Sequence, residues 1–142
     1  MKVRELMVKN VITLQADTSI HEATKILNEN RIGCLVVTDD RDIKGILTER
    51  DLLERVLEKC KDPKETKTSE IMTKKVIVGK PDMELSEATN IMVTNNIKKL
   101  PIVEKDQLVG MVTISDIARA VNADKKTLEL IDTLSHMHAF QH

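Results

Sequence analysis

Aromatic side chains are almost absent from this chain, which has no Trp, no Tyr and a single Phe, Phe140. That argues against a single-strand nucleic-acid platform, which stacks bases on aromatic faces. Cysteine is equally scarce. Cys34 and Cys60 have no metal-ligand spacing; Cys34 lies in an apolar run, as a small core residue would, and Cys60 ends a polar helical stretch. No apolar segment approaches membrane-spanning length, and Met1-Lys2-Val3-Arg4-Glu5 leads into no signal-like run, so a cytoplasmic chain without membrane contact is expected. An excess of one charge is lacking too. The 22 basic and 23 acidic residues leave a net charge of −1, which gives no electrostatic footprint for nucleic acid or an anionic membrane.

The common signatures of catalysis are also missing. There is no Gly-rich phosphate loop and no Gly-x-Ser-x-Gly. His21-Glu22 opens a zinc-protease pattern, but Lys25 stands where the second His ligand belongs. His136, His138 and His142 form the only metal-like grouping. Their surroundings read as a helix that frays at the terminus, so a solvated tail is expected and not a metal site. The expectation is a protein that is not an enzyme and has no catalytic cofactor or metal.

What the chain does contain is a copy of itself. Gly45-Ile46-Leu47-Thr48-Glu49-Arg50-Asp51 returns as Gly110-Met111-Val112-Thr113-Ile114-Ser115-Asp116, 65 residues later. The same offset aligns Glu5-Leu6-Met7 with Glu70-Ile71-Met72, Glu22-Ala23-Thr24 with Glu87-Ala88-Thr89, and Leu35 with Leu100, without a gap from Glu5 to Val56. A repeat of this length is a supersecondary unit copied once.

Each copy reads as β-α-β-β-α after a short helical lead-in. In the first, residues 1–10 are the lead-in, Val11–Leu14 a strand, and Ile20, Ala23, Ile26 and Leu27 lie on one face of a helix ending near Asn30. Cys34–Thr38 and Ile43–Leu47 form a hairpin around Asp39–Asp42, and a helix opens at Thr48. In the second, the lead-in is Ser69–Met72, the strands are Val76–Val78, Leu100–Val103 and Leu108–Thr113, and the helices run from about Glu84 to Asn95 and on to about Val121. The division is therefore 1–59 for the first motif, 60–67 for a charged linker with Pro63, 68–122 for the second motif, and 123–142 for a C-terminal helix and tail with Leu128, Ile131, Leu134 and Met137 on one face. Gly45 and Gly110 inside strands signal either a bulge or the close approach of another backbone or a ligand.

Thr-x-x-Asp at a strand-to-helix turn has two readings. As a capping box, Thr accepts from an N–H of the first turn and Asp reaches back to the cap N–H, worth roughly 1 kcal/mol. As a site, the helix N-terminus favours an anion such as phosphate, and the carboxylate accepts from the two hydroxyls of a ribose. On the residues alone, both stand.

The ordered set of lead-in, Leu-(Pro/Val)-(Ile/Val) strand and Gly-x-x-Thr-x-x-Asp, occurring twice, resembles a tandem pair of cystathionine-β-synthase (CBS) domains, a Bateman module. The resemblance covers about residues 1–122. It implies an α/β (α+β) fold of two repeats packed through their sheets with pseudo-two-fold symmetry, and clefts that take AMP, ADP, ATP or S-adenosylmethionine. Matched position by position, it implies ribose-holding pairs at Thr113/Asp116 and Thr48/Asp51, with Ser115 beside the former. It implies an adenine pocket from Ile12, Thr13, Cys34, Ile77, Val78, Leu100 and Pro101, and phosphate contacts from Arg50, Lys98 and Lys99. The first copy departs from the pattern, with Gly33-Cys34 where the second has Lys98-Lys99. The expected function is that of a homodimeric regulatory module that binds an adenosine ligand and acts on a partner protein. The rival is an interaction scaffold with empty clefts, in which both Thr-x-x-Asp copies are only caps.

Overall fold

A computed structural model describes residues 1–120 of the chain. The C-terminal helix with Leu128, Ile131, Leu134 and Met137, and the histidines 136, 138 and 142, lie outside the described residues. The fold is α+β, and its elements repeat with the period read from the sequence: α1 (Val3–Leu6), β1 (Thr13–Gln15), α2 (Ile20–Asn30), β2 (Cys34–Asp39), β3 (Asp42–Thr48), α3 (Glu49–Leu52), α4 (Thr68–Ile71), α5 (Leu85–Asn95), β4 (Lys99–Glu104), β5 (Gln107–Thr113) and α6 (Ile114–Ala120).

Local chemistry accounts for most of the boundaries. Ser19 caps α2 by accepting from the Glu22 N–H at 3.1 Å, and α2 and α5 both end on left-handed residues, Arg31 and Asn96. The two hairpins turn on Asp40-Arg41 and Lys105-Asp106, all four with positive φ, which is the backbone that two-residue hairpin loops use. Three sequence-based elements differ. The first strand begins at Thr13, not Val11. The strand expected at Val76–Val78 shrinks to one parallel bridge, Gly79 with Ile102. Gly79 replaces Leu14 of the first copy and has no side chain to pack, and Pro81, which lacks an N–H, ends the run. The helix opened by Thr48 remains α-helical only to Leu52 and then widens into a π-helical turn, Leu53–Leu57.

The chain forms two compact units, and each takes its lead-in from the other repeat. Residues 11–76 make one unit, here the first unit; residues 1–10 together with the segment that follows residue 76 make the second. In the first unit β1 runs parallel to β2 and β2 antiparallel to β3. The lead-in that precedes the second repeat closes this unit: Thr68 N–H donates to Thr18 O at 2.8 Å, Ser69 N–H to Ala16 O at 2.9 Å, and Ile20 N–H to Thr66 O at 2.8 Å. In the second unit β4 and β5 are antiparallel, and the same three bonds recur as Val3 to Met83, Arg4 to Pro81 and Leu85 to Met1, each 2.9 Å. Ile71 packs in the first core with Leu14, Ile20, Leu35 and Leu47, and Val3 in the second with Met92, Leu100, Ile102 and Ile117. Burying either side chain is worth about 1.5–3 kcal/mol.

Both readings of the strand glycines hold. The ladders slip by one residue at Lys44 and at Val109, giving a bulge next to each glycine. The lead-in also crosses there. Thr73 and Ile46 exchange two backbone bonds of 2.9 Å, and Val8 and Met111 do the same. A Cβ on Gly45 would lie 2.7 Å from Met72 Sδ and 2.8 Å from the Thr73 carbonyl oxygen; on Gly110 it would lie 2.7 Å from Met7 Sδ and 3.0 Å from the Val8 oxygen. Gly45→Ala is therefore expected to destabilise the protein by about 1–3 kcal/mol, and Gly110→Ala by less because its backbone clash is milder. Urea unfolding midpoints check this, and a Gly45→Ala protein as stable as the parent would contradict the crossing.

Candidate functional site

Both Thr-x-x-Asp motifs fold as reciprocal caps. Thr48 N–H donates to Asp51 Oδ2 at 2.9 Å while Asp51 N–H donates to Thr48 Oγ1 at 3.2 Å. In the second unit, Thr113 N–H donates to Asp116 Oδ2 at 2.9 Å and Asp116 N–H to Thr113 Oγ1 at 3.1 Å. Both carboxylates are nearly enclosed, Asp51 at 5% and Asp116 at 2% exposure. Each commits one oxygen to its cap.

The remaining oxygens have unequal partners. Asp51 Oδ1 accepts from Thr73 Oγ1 at 3.3 Å and lies 3.7 Å from Arg55 Nη1, which itself donates to the Ile71 and Met72 carbonyls at 2.8 and 3.3 Å. Arg55 thus ties the cap to the crossing lead-in, whose last helical carbonyls it satisfies. Asp116 Oδ1 instead accepts, among the described residues, from Arg119 Nη2, and that arginine side chain is 73% exposed. The pair is therefore asymmetric, with a solvated guanidinium on an enclosed carboxylate. Among the described residues no buried side-chain polar atom lacks a partner.

The strand registers bring many of the sequence-derived candidates together within each unit. In the second, Lys99 pairs with Thr113 and Ile114 N–H donates to Lys98 O at 3.1 Å, so Lys98, Lys99, Thr113, Ser115 and Asp116 share one end of the hairpin, with Leu100 buried directly behind. Pro101 is one residue further in, opposite Met111, and its carbonyl accepts from Gly79 N–H at 2.9 Å; Ile77 and Val78 lead up to that contact. In the first unit, Cys34 pairs with Thr48, Glu49 N–H donates to Gly33 O at 3.0 Å, and Thr13 pairs with Val36. Ile12 and Thr13 are exposed at the start of β1. Arg50 is the exception. It pairs with Glu54 at 3.7 Å along its own helix and so points its charge at a neighbour on that helix.

Four residues escaped the sequence reading. Arg55 and Arg119 follow their aspartates by four and three positions, a spacing that signals side-chain contact on a helix. Glu49 lies over Gly33, its Cδ 3.4 Å from where a Cβ would stand. Thr73 had no local signal, since it comes from the lead-in of the other repeat. The two ends consequently differ in charge: Lys98, Lys99 and Arg119 lie at the Asp116 end, whereas Gly33 and Glu49 occupy the places of Lys98 and Ile114 at the Asp51 end. Among the described residues no three His, Cys, Asp or Glu side chains cluster as metal ligands, and no helix is long and apolar enough to cross a membrane.

Known proteins match this arrangement. A protein-family model, the CBS domain, matches residues 3–58 and again 69–123. The CBS domain-containing protein YhcV of Bacillus subtilis is 29% identical over 136 residues, covering 96% of each chain. The inosine-5'-monophosphate dehydrogenase of Methanocaldococcus jannaschii is 33% identical over 147 residues, which are 99% of this chain but only 28% of that enzyme. Among solved structures, the CBS domain pair of protein MJ0100 in complex with 5'-methylthioadenosine and S-adenosyl-L-methionine superposes with a TM-score of 0.75 at 30% identity, covering 88% of this chain and 98% of that one. With both of its repeats matched, the chain belongs to the CBS domain family as a tandem pair.

Proposed function

We propose that this chain is a regulatory module that binds an adenosine-type ligand, performs no chemistry itself and acts on a partner protein. The observation that carries the reading is the Asp116 carboxylate. It is held by its cap on one oxygen while the other is engaged, among the described residues, by the exposed Arg119 alone. Two vicinal ribose hydroxyls are suited to accept that place, because each donates one hydrogen bond to a carboxylate. Lys99 and Arg119 then favour a ligand with an anionic tail, such as AMP, ADP or ATP. The solved MJ0100 complex, whose ligands are both adenosine compounds, supports the ligand class. The archaeal dehydrogenase, in which the matched segment is about a quarter of a larger enzyme, supports a regulatory role.

Regulation by such a ligand requires different affinities for two arrangements of the protein, which a partner or a second copy then reads. A homodimer is the assembly we propose, and the remaining candidates Ile77, Val78, Leu100 and Pro101 supply apolar strand surface on which adenine can lie without an aromatic ring.

Thermal unfolding with AMP, ADP, ATP, S-adenosylmethionine and no ligand tests the reading. A ligand at about 100 times its Kd stabilises the native state by roughly 2.7 kcal/mol, several degrees in Tm. Asp116→Asn, which keeps an acceptor for the cap, is expected to abolish that shift. Absence of a shift with every compound, or a shift that survives Asp116→Asn, would contradict it. For an anionic ligand the two ends are also expected to respond unequally. Asp51→Asn retains most of the shift because Glu49 and Gly33 make that end poor for phosphate; equal loss in both variants would show that the charge difference has no part in binding.

A further inference from the structure

The two units differ most sharply at the end of the sheet remote from the caps. In the second unit, Arg4 of the lead-in spans two carboxylates: Nη2 donates to Asp82 Oδ1 at 3.2 Å and to Glu104 Oε2 at 3.3 Å, and Nε to Asp82 Oδ1 at 3.4 Å. Asp82 holds the guanidinium by hydrogen bond and charge, and Glu104 adds to this, together raising its affinity for the proton further above the ordinary value. At the 65-residue offset of the repeat, Asp17 and Asp39 occupy the places of Asp82 and Glu104, but Arg4 is replaced by Ser69. The backbones coincide in their bonding, since Ser69 N–H donates to Ala16 O at 2.9 Å as Arg4 N–H does to Pro81 O at 2.9 Å. A hydroxymethyl group is far too short to reach either carboxylate.

The first unit has an open depression here of about 510 Å³, lined by Asp17, Asp39, Gln15, Thr38, Lys44 and Lys74 among others. That volume lies within the range of small-molecule sites, about 300–1,000 Å³. Where the arginine is missing, the walls are also more polar. Thr38 and Lys44 stand in place of Val103 and Val109 of the second unit, and Lys44 is the extra residue of the bulge. Among the described residues, neither aspartate and neither lysine of this depression is in an ion pair. The lining has two carboxylates and two ammonium groups. A polyamine would meet the repulsion of both lysines, and a nucleotide phosphate that of both aspartates. A molecule with a guanidinium at one end and a carboxylate at the other meets neither.

We propose that this depression binds a small guanidinium zwitterion, of the free-arginine class, whose guanidinium takes on Asp17 and Asp39 the place that Arg4 holds on Asp82 and Glu104. The carboxylate of the ligand faces Lys44 and Lys74. The site lies within one unit and is independent of the adenosine site. Because the pairs are solvent-exposed, binding is weak, with a Kd on the order of 1 mM or somewhat below.

The test is an amide NMR titration of the full chain with L-arginine. Saturable shifts are expected at Asp17, Asp39, Lys44 and Lys74, with none from citrulline, which has the same shape without the guanidinium charge. Agmatine and arginine with a blocked, amidated backbone, both lacking the carboxylate, are expected to bind about fivefold more weakly. Asp17→Asn and Asp39→Asn lose the response, and so does Ser69→Arg, which supplies the side chain that fills the equivalent place in the second unit. Retained amide dispersion shows that each variant is folded. The proposal is overturned if citrulline or agmatine binds as well as L-arginine, if Ser69→Arg leaves binding intact, or if about 10 mM L-arginine moves none of these amides. Equal binding of the blocked arginine would assign the site to arginine displayed on a peptide and overturn the role of the lysines.

Discussion

The pair of backbone hydrogen bonds by which each lead-in crosses a glycine-bearing strand is the contact on which the rest of this structure depends. Thr73 crosses at Ile46 and Val8 at Met111, and a methionine sits over the glycine in each case. The crossing is non-local. It brings a segment from one repeat onto the hairpin of the other, adds Ile71 or Val3 to the core, and closes the start of helix α2 or α5 through Thr66 or Met1. A side chain on either glycine would hold the lead-in away, and the core anchor and the helix start would lose their position together. Small modules have little core to spare, so three linked losses in one unit weigh heavily against a net stability of about 5–15 kcal/mol.

The crossing also determines what surrounds each cap. Thr73 follows the crossing methionine and donates to Asp51, while its counterpart in the second unit is Val8, which has no hydroxyl. Asp51 is therefore held from two sides, by its own cap and by the lead-in with Arg55. Among the described residues, Asp116 has only its cap and the exposed Arg119. Two motifs that are alike in sequence become caps whose second oxygens have different partners. The same divergence occurs at the opposite end of the sheet, where Arg4 closes one unit and Ser69 leaves the other open. Duplication supplied two equal scaffolds, and single substitutions have given their ends different chemistry.

Much of this was legible in the sequence because it is local. Both hairpins with their turns, the α2 and α5 helices and the Thr-x-x-Asp caps all follow from patterns within a few residues, and the period of 65 from their recurrence. The strand glycines signalled something unusual but not which cause, and the structure has both a bulge and a crossing backbone at each. The exchange of lead-ins was not legible, for a physical reason: both repeats carry the same lead-in, so either assignment satisfies the same pattern of apolar and capping residues. Thr73 was missed with it. The strand expected at Val76–Val78 failed because β-branched residues favour a strand only where a neighbour pairs with them, and Gly79 and Pro81 leave room for a single bridge. At the site, the basic character around Asp116 was readable from Lys98 and Lys99, whereas the diversion of Arg50 to Glu54 was a choice between nearby partners that spacing alone does not make.

Native-state hydrogen exchange on the full chain carrying Val8→Pro tests the exchange of lead-ins most directly, because proline removes the Val8 N–H that donates to Met111 O. The account predicts that amide protection falls at Leu85 and along Lys99–Thr113, while Ile20, Ile46 and Thr73 keep theirs. Loss of protection at Ile20 and Ile46, with the second hairpin unaffected, would mean that each repeat keeps its own lead-in and would contradict the account.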